Sequence, residues 1–221
     1  MNVVEIFNSI EGEGVRVGAP CTFIRLFGCN LHCDYCDSQY ACVPQDMEIN
    51  TMSINEIVEV VKYFNCPNVT VTGGEPLIHD GIEQLLNRLI VEGFFVNVET
   101  NGTIVPTVRN RGQGKGSIFY TVDFKTFSSG MHSKMNPEVF KSLREYDVLK
   151  FVVGSEADLD QALSVCEKYN FSREFNIFVS PVFGKIQPVE LVEYLKKHQL
   201  WDWRVQVQLH KIIWDPKMKG V

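Results

Sequence analysis

The stretch LFGCNLHCDYCDSQYAC, residues 26–42, holds four of the chain's seven cysteines. Cys29, Cys33 and Cys36 are spaced C-x3-C-x2-C, and thiols clustered this tightly point to a metal or redox site rather than a disulfide scaffold. Free cysteines often pack as small hydrophobes. A loop that also carries Asn30, His32, Asp34 and Asp37 does not suit that role. Structural zinc takes four ligands, commonly from two separated pairs. Cys42 or His32 could supply a fourth, but no distant C-x2-C partner exists. An iron–sulfur cluster held by three thiolates is the sharper reading. Cubane clusters usually take four thiolates, so three leave one iron open, as a catalytic zinc keeps an open position. Cys42 as a fourth ligand would block that iron. It reads as structural, with Cys21, Cys66 and Cys166.

Three further groups stand near the ends of strand-like runs. VTVTGGEP (69–76) offers Gly73 and Gly74, which let backbone approach a ligand closely, and Glu75, which can accept from an ammonium. VETNGT (98–103) carries Glu99 inside an apolar run, where an unpaired carboxylate is costly. Its Asn-Gly also suits a plain turn. TVDFK (121–125) pairs Asp123 with Lys125, either as an ion pair or as a lysine awaiting a carboxylate. GQGKGS (112–117) lacks the GxxxxGK[ST] spacing of a phosphate loop and reads as a flexible connection.

The elements that must position these residues alternate. Strand-like runs fall at 22–27, 68–73, 94–99, 117–124, 148–154, 176–184 and 203–211. Helical patterns lie between them. INEIVEVVKYF (54–64) spaces Ile54, Ile57, Val58, Val61 and Phe64 on one face, with Ser53 as N-cap and Glu56 three residues on. GIEQLLNRLIVEG (81–93) ends on a glycine stop, PEVFKSLREY opens on Pro137, EADLDQALSVCEKY follows, and PVELVEYLKKH opens on Pro188. Strand–helix alternation points to a parallel α/β sheet or barrel. About six βα units are too few for an eight-fold barrel, so the expectation is a partial, open (β/α)6-type barrel in a single domain over 1–221. Ligands of such folds sit at the C-terminal ends of the strands.

With 221 residues, 45% hydrophobic and 22% charged, the composition is that of a globular protein able to bury a core. A net charge of -6 weighs against a general nucleic-acid or anionic-membrane binder. The first residues show no secretory signal and no run approaches a membrane span, so a cytoplasmic location is expected.

C-x3-C-x-aromatic-C after a strand resembles the radical S-adenosylmethionine (SAM) enzymes. That resemblance implies a [4Fe–4S] cluster on Cys29, Cys33 and Cys36, with SAM on the open iron. It places Tyr35 beside the adenine. Gly73, Gly74 and Glu75 resemble the superfamily's GGE motif, which contacts the SAM amino group; Asn101 and Lys125 are carried over as further SAM contacts. EIFNSIEGEG, FIRLFGCNLHCDYCDS, TGGEP, ETNGT and VQLHKIIW, in that order from Glu5 to about Trp214, are similar to the 7-carboxy-7-deazaguanine synthase family. The family converts 6-carboxy-5,6,7,8-tetrahydropterin to 7-carboxy-7-deazaguanine with loss of ammonia, using SAM catalytically, in 7-deazapurine synthesis such as that of queuosine.

The resemblance also implies a Mg2+ ion on Ser38, where the family more often has Thr. Serine keeps the hydroxyl but loses the methyl that restricts the rotamer; Asp37-Ser38 could instead only cap a helix. Ile10, Gly12, Glu13, Arg25, Thr72, Glu99 and His210 match positions that frame the pterin. Arg25 is read in the first strand and His210 in the last. Arg25 suits the substrate carboxylate; Glu13 or Glu99 suits the donor edge of the pyrimidine ring. A homodimer and a one-electron donor such as flavodoxin or ferredoxin are implied. Residues 125–135 and the tail after Trp214 match least. Two other readings compete: an activase making glycyl radicals on a partner protein, which shares GCN-x2-C-x2-C but not the EGEG and HK ends, and a zinc-binding module.

Overall fold

The computed structural model describes residues 1–43, 49–110, 115–171, 175–215, 218 and 220. Part of the 112–117 connection and part of the tail after Trp214 therefore lie outside the described residues. In chain order the strands are β1 (Asn2–Ile10), β2 (Pro20–Leu26), β3 (Asn50–Thr51), β4 (Asn68–Gly73), β5 (Phe95–Thr100), β6 (Ser117–Lys125), β7 (Val148–Val153), β8 (Asn176–Pro181) and β9 (Arg204–Val205). The helices are α1 (Ile54–Tyr63), α2 (Ile82–Val91), α3 (Pro137–Lys141), α4 (Glu156–Lys168), α5 (Pro188–Lys197) and α6 (His210–Ile213).

One nine-stranded sheet runs in the order β3-β1-β2-β4-β5-β6-β7-β8-β9. From β2 through β9 the neighbours are parallel, while β1 joins β2 and β3 antiparallel. The sheet does not close, because β9 pairs with β8 and β3 with β1. This is the open, partial barrel the alternation implied, abridged further because, among the described residues, no helix separates β5 from β6.

Local signals explain most boundaries. Ser53 accepts from the Glu56 N–H at 3.3 Å while the Glu56 carboxylate accepts from the Ser53 N–H at 2.8 Å, so the predicted cap starts α1. Ile57, Val58 and Val61 then face the core. Pro137 and Pro188 open α3 and α5. All six residues of β7 are buried, as expected of a parallel strand covered on both faces. Among the described residues no helix is long and apolar enough to cross a membrane.

Two expectations fail. Arg25 lies in the second strand, not the first: β1 precedes it and escaped the strand–helix count, because its residues read first as motif and only the 3-10 turn Gly14–Arg16 follows it. The alternating run 203–211 is a strand only at Arg204–Val205, and His210 begins α6 instead. The Gln206 N–H still bonds Val179 O of β8, while its side-chain oxygen accepts from the Gly14 N–H at 2.8 Å, and beyond it the chain leaves the sheet edge. Backbone bonds from Lys211 to Gln208 and from Ile212 to Leu209 then wind the turn. Among the described residues no strand lies outside β9 to hold the remainder extended.

Candidate active site

The carboxyl ends of the parallel strands form one rim, and the cysteine loop follows β2 on it. Gly28 turns the chain with φ 106°, a conformation that favours glycine. The two glycines ending β4 make room for this loop. A Cβ on Gly73 would fall 2.1 Å from Leu26 O, and one on Gly74 would fall 2.2 Å from Gly28 O. The Glu75 N–H donates to Gly28 O at 2.8 Å, tying the two segments together. The Glu75 side chain is fully buried. Its carboxylate accepts from the N–H groups of Asn101 (2.6 Å) and Leu77 (2.9 Å) and from the Thr100 hydroxyl (2.8 Å). Asn101 in turn donates from Nδ2 to Asn30 Oδ1 at 2.9 Å and toward Cys29 Sγ at 3.7 Å. GGE and ETN thus form one brace behind the cysteines.

In front of the brace lies a cavity of about 670 Å3. It is lined by Cys29, Cys33, Tyr35, Cys36, Ser38, Gly74, Asn101 and Lys125, and also by Ile10, Gly12, Glu13, Arg25, Thr72, Glu99 and His210. The two groups arrive from strands far apart in sequence and meet at Asp123. Lys125 pairs with Asp123 at 2.7 Å, and Lys150 lies 3.8 Å from the same carboxylate while pairing with Glu13. Tyr35 is fixed by donation from its hydroxyl to Val152 O at 3.3 Å. Arg25 donates from Nε to Glu5 at 2.7 Å and lies over the rings of Phe7 and Tyr40.

Residues 23–199 match the radical SAM superfamily. The chain belongs to that superfamily. A 7-carboxy-7-deazaguanine synthase from Clostridium acetobutylicum is 43% identical over 220 residues, covering 99% of this chain and 98% of that one. Another from Chlorobaculum tepidum is 38% identical over 225 residues, covering 100% and 97%. These full-length likenesses place the chain in the synthase family. The crystal structure of QueE from Escherichia coli matches the fold with a TM-score of 0.73 at 22% identity, covering 94% of this chain and 93% of that one.

Radical SAM membership implies a [4Fe–4S] cluster and SAM, and the residues present fit both. Among the described residues no three His, Cys, Asp or Glu side chains converge as ligands of one ion. A cubane spreads its thiolates over separate irons. N–H donors already face the sulfurs: the Leu31 N–H reaches Cys29 Sγ at 3.4 Å. A hydrogen bond from Cys42 brings Cys29 and Cys36 down to about 6, while burial pushes Cys33 up to about 11.

Burial, then the charges of Glu11 and Glu13, push the Glu99 carboxyl up to about 7. Its Oε2 accepts from the Thr72 hydroxyl at 2.8 Å. Burial opposes the Lys150 charge, but Glu13 and Asp123 outweigh it and raise its pKa. Burial lowers His210, keeping a neutral imidazole at pH 7.

Every residue expected at the site lines the cavity except Gly73 and Glu75, which lie just behind its wall. His210 reaches it from α6 rather than from a strand. Ser38 makes no capping bond, and its hydroxyl lies 3.9 Å from Cys36 Sγ. Sequence reasoning missed Lys150, although a lysine within the apolar run VLKFVV is a signal of the same kind as Glu99. It also missed Asp37 as the partner of Gln208 (2.9 Å) and Lys211 (3.5 Å), which anchors the C-terminal segment beside the cysteine loop.

Proposed function

We propose that the protein contracts the saturated ring of 6-carboxy-5,6,7,8-tetrahydropterin to 7-carboxy-7-deazaguanine, releasing ammonia. The observation that carries this reading is the single cavity lined both by the cysteine triplet and by Glu13, Arg25, Glu99 and His210, in a chain with full-length synthase relatives. Bound on the three thiolates, the cluster with SAM supplies a 5′-deoxyadenosyl radical able to take an unactivated hydrogen, which no acid or base side chain can do.

The protein's own groups orient and enclose. Lys125, held by Asp123, receives the SAM carboxylate, and Tyr35 flanks the adenine. Gly74, with no Cβ, and the Asn101 side chain complete that side. Arg25, with Nε committed to Glu5, offers its two terminal nitrogens to the substrate carboxylate as a fork. Glu13 and Glu99 serve the pyrimidine edge. Near neutral pH Glu99 is part protonated, so it can accept or donate. Thr72 fixes one of its oxygens, and Ile10, Gly12 and His210 close the pterin side. Ser38 would hold a Mg2+, a hard cation that keeps waters and takes few protein ligands, to which the substrate carboxylate could bind. The enzyme works as a cytoplasmic homodimer, with its electron supplied by a flavodoxin or ferredoxin.

The test is anaerobic turnover of reconstituted, reduced protein with the pterin, SAM and Mg2+. The deazapurine and ammonia should appear in equal amounts while SAM is regenerated. SAM consumed one for one without that product would overturn the reading in favour of another radical SAM activity, the glycyl-radical activase included.

A further inference from the structure

Lys150 is the lone charged residue of β7, whose other five side chains are apolar. The sheet sets it beside Asp123 of β6, its register partner. Its ammonium pairs with Glu13, in the loop after β1 and 137 positions away, and lies 3.8 Å from Asp123 Oδ2. That same oxygen takes the Lys125 ammonium at 2.7 Å. Asp123 Oδ1 is buried without a hydrogen-bond partner, so the carboxylate is held through the oxygen that the two lysines share. Glu13, Lys150, Asp123 and Lys125 thus form one row of alternating charge along the cavity wall, each side chain between 11% and 16% exposed. One end of the row belongs to the pterin half of the cavity and the other to the SAM half.

We propose that Lys150 is a positioning residue through which SAM binding tightens pterin binding, by dividing its charge between Glu13 and Asp123. The proposal rests on the reading that Lys125 receives the SAM carboxylate and Glu13 the donor edge of the pterin. Charges this little exposed are weakly screened, so each pair responds to its neighbour. A carboxylate arriving at Lys125 competes with Asp123 for that ammonium. Asp123 then leans on its other cation, Lys150, 3.8 Å away. Whatever share of Lys150 is drawn toward Asp123 is withdrawn from Glu13, whose oxygens come free to accept from the pterin. While Lys125 stays committed to Asp123, Lys150 stays on Glu13 and competes with the substrate. Among the described residues Lys150 is the cation paired with Glu13, so that contest is decided at this side chain. Linkage makes the effect reciprocal: the pterin must tighten SAM by the same factor.

The experiment measures the dissociation constant of the pterin with and without saturating SAM, in anaerobically reconstituted parent, Lys150→Met, Lys150→Arg and Asp123→Asn. No reductant is added, so nothing turns over, and each protein is assayed for iron. In the parent SAM should tighten the pterin at least about 5-fold. Lys150→Met and Asp123→Asn cut the row at successive members and should bring that factor to about one. Lys150→Arg keeps the charge and should retain most of it. The factor is a ratio, so a variant that only loosens one pocket leaves it unchanged. A factor of one in the parent overturns the proposal. So does the parent's factor surviving in Lys150→Met or in Asp123→Asn. If Lys150→Met fails to take up iron, Asp123→Asn decides by itself. Pterin that binds none of the four proteins, with SAM or without, overturns the substrate reading and this inference with it; pterin that binds but ignores SAM overturns the inference alone.

Discussion

Glu99 shows how one carboxyl can register the environment of the whole cavity. Its pKa rises from an ordinary 4.5 to about 7 through burial and neighbouring carboxylates. Between those values the folded chain keeps a proton that the unfolded chain has released. Stability therefore falls as pH rises through that window. In Glu99→Gln that fall should be smaller. Urea titrations of the apoprotein at pH 5 and pH 7.5 should show the variant gaining on the parent, by at most about 3 kcal/mol at 1.36 kcal/mol per pKa unit. Equal slopes would place Glu99 in a wetter setting. Ser38→Ala should keep its full iron content but lose most of its stimulation by Mg2+, as measured by turnover with and without the ion; equal stimulation would remove Ser38 from the metal site. Residues such as these were legible because their chemistry conflicts with their surroundings in sequence: cysteines in a polar loop, a glutamate in an apolar strand. Partners were not legible. Lys150 meets Glu13 across 137 positions, and Glu75 spends its oxygens on backbone N–H groups up to 26 positions away, which no local pattern announces.

Strands and helices were mostly readable where local chemistry agrees with the fold. Ser53-x-x-Glu56 capped its helix, and the apolar runs from β4 to β8 became parallel strands. The failures lie at the two ends of the sheet. There a strand's extent depends on a neighbour, which β1 finds in β2 and which, among the described residues, β9 lacks on its outer side. The junction of β4 with the cysteine loop is the least tolerant element. Gly74→Ala would set a methyl 2.2 Å from Gly28 O, against backbone that cannot yield. It should cost about 3 kcal/mol or more and impair cluster retention. Gly93→Ala, with φ 88° but nothing within 4 Å of the added carbon, should cost only about 1–2 kcal/mol and leave iron content unchanged. Thermal melts and iron assays of the two variants separate the effects; equal losses would contradict the close packing of the junction.

Across the whole molecule, the segment after β1 is inserted into the end of the barrel opposite the cysteine rim. Arg16 pairs with Glu11 at 2.7 Å and donates to Phe95 O (2.7 Å) and Thr70 (2.9 Å), while stacking over Phe95 and Phe119. Glu11 is fully buried, and it also accepts from Thr70 and Asn97. Arg16→Met would strand that carboxylate and should cost about 3–5 kcal/mol by denaturant titration. Adding Glu11→Gln should recover part of the loss; a double variant no better than the single one would show that the pair's charge is not the cause. The same inserted segment meets the chain's end at Gly14 and Gln206, 192 positions apart. That distance gives construction of the site an order in time. A ribosome adding ~5–20 residues per second makes Gln206 roughly 10–40 s after Gly14. The partners whose bonds tie the loop in place, Gly28, Glu75, Asn101 and Ser129, are synthesised well before then, while Asp37 finds Gln208 and Lys211 only afterwards. On a growing chain the seat for the cluster can therefore take shape first, and the chamber for the pterin only when the last strand arrives to fasten the first loop.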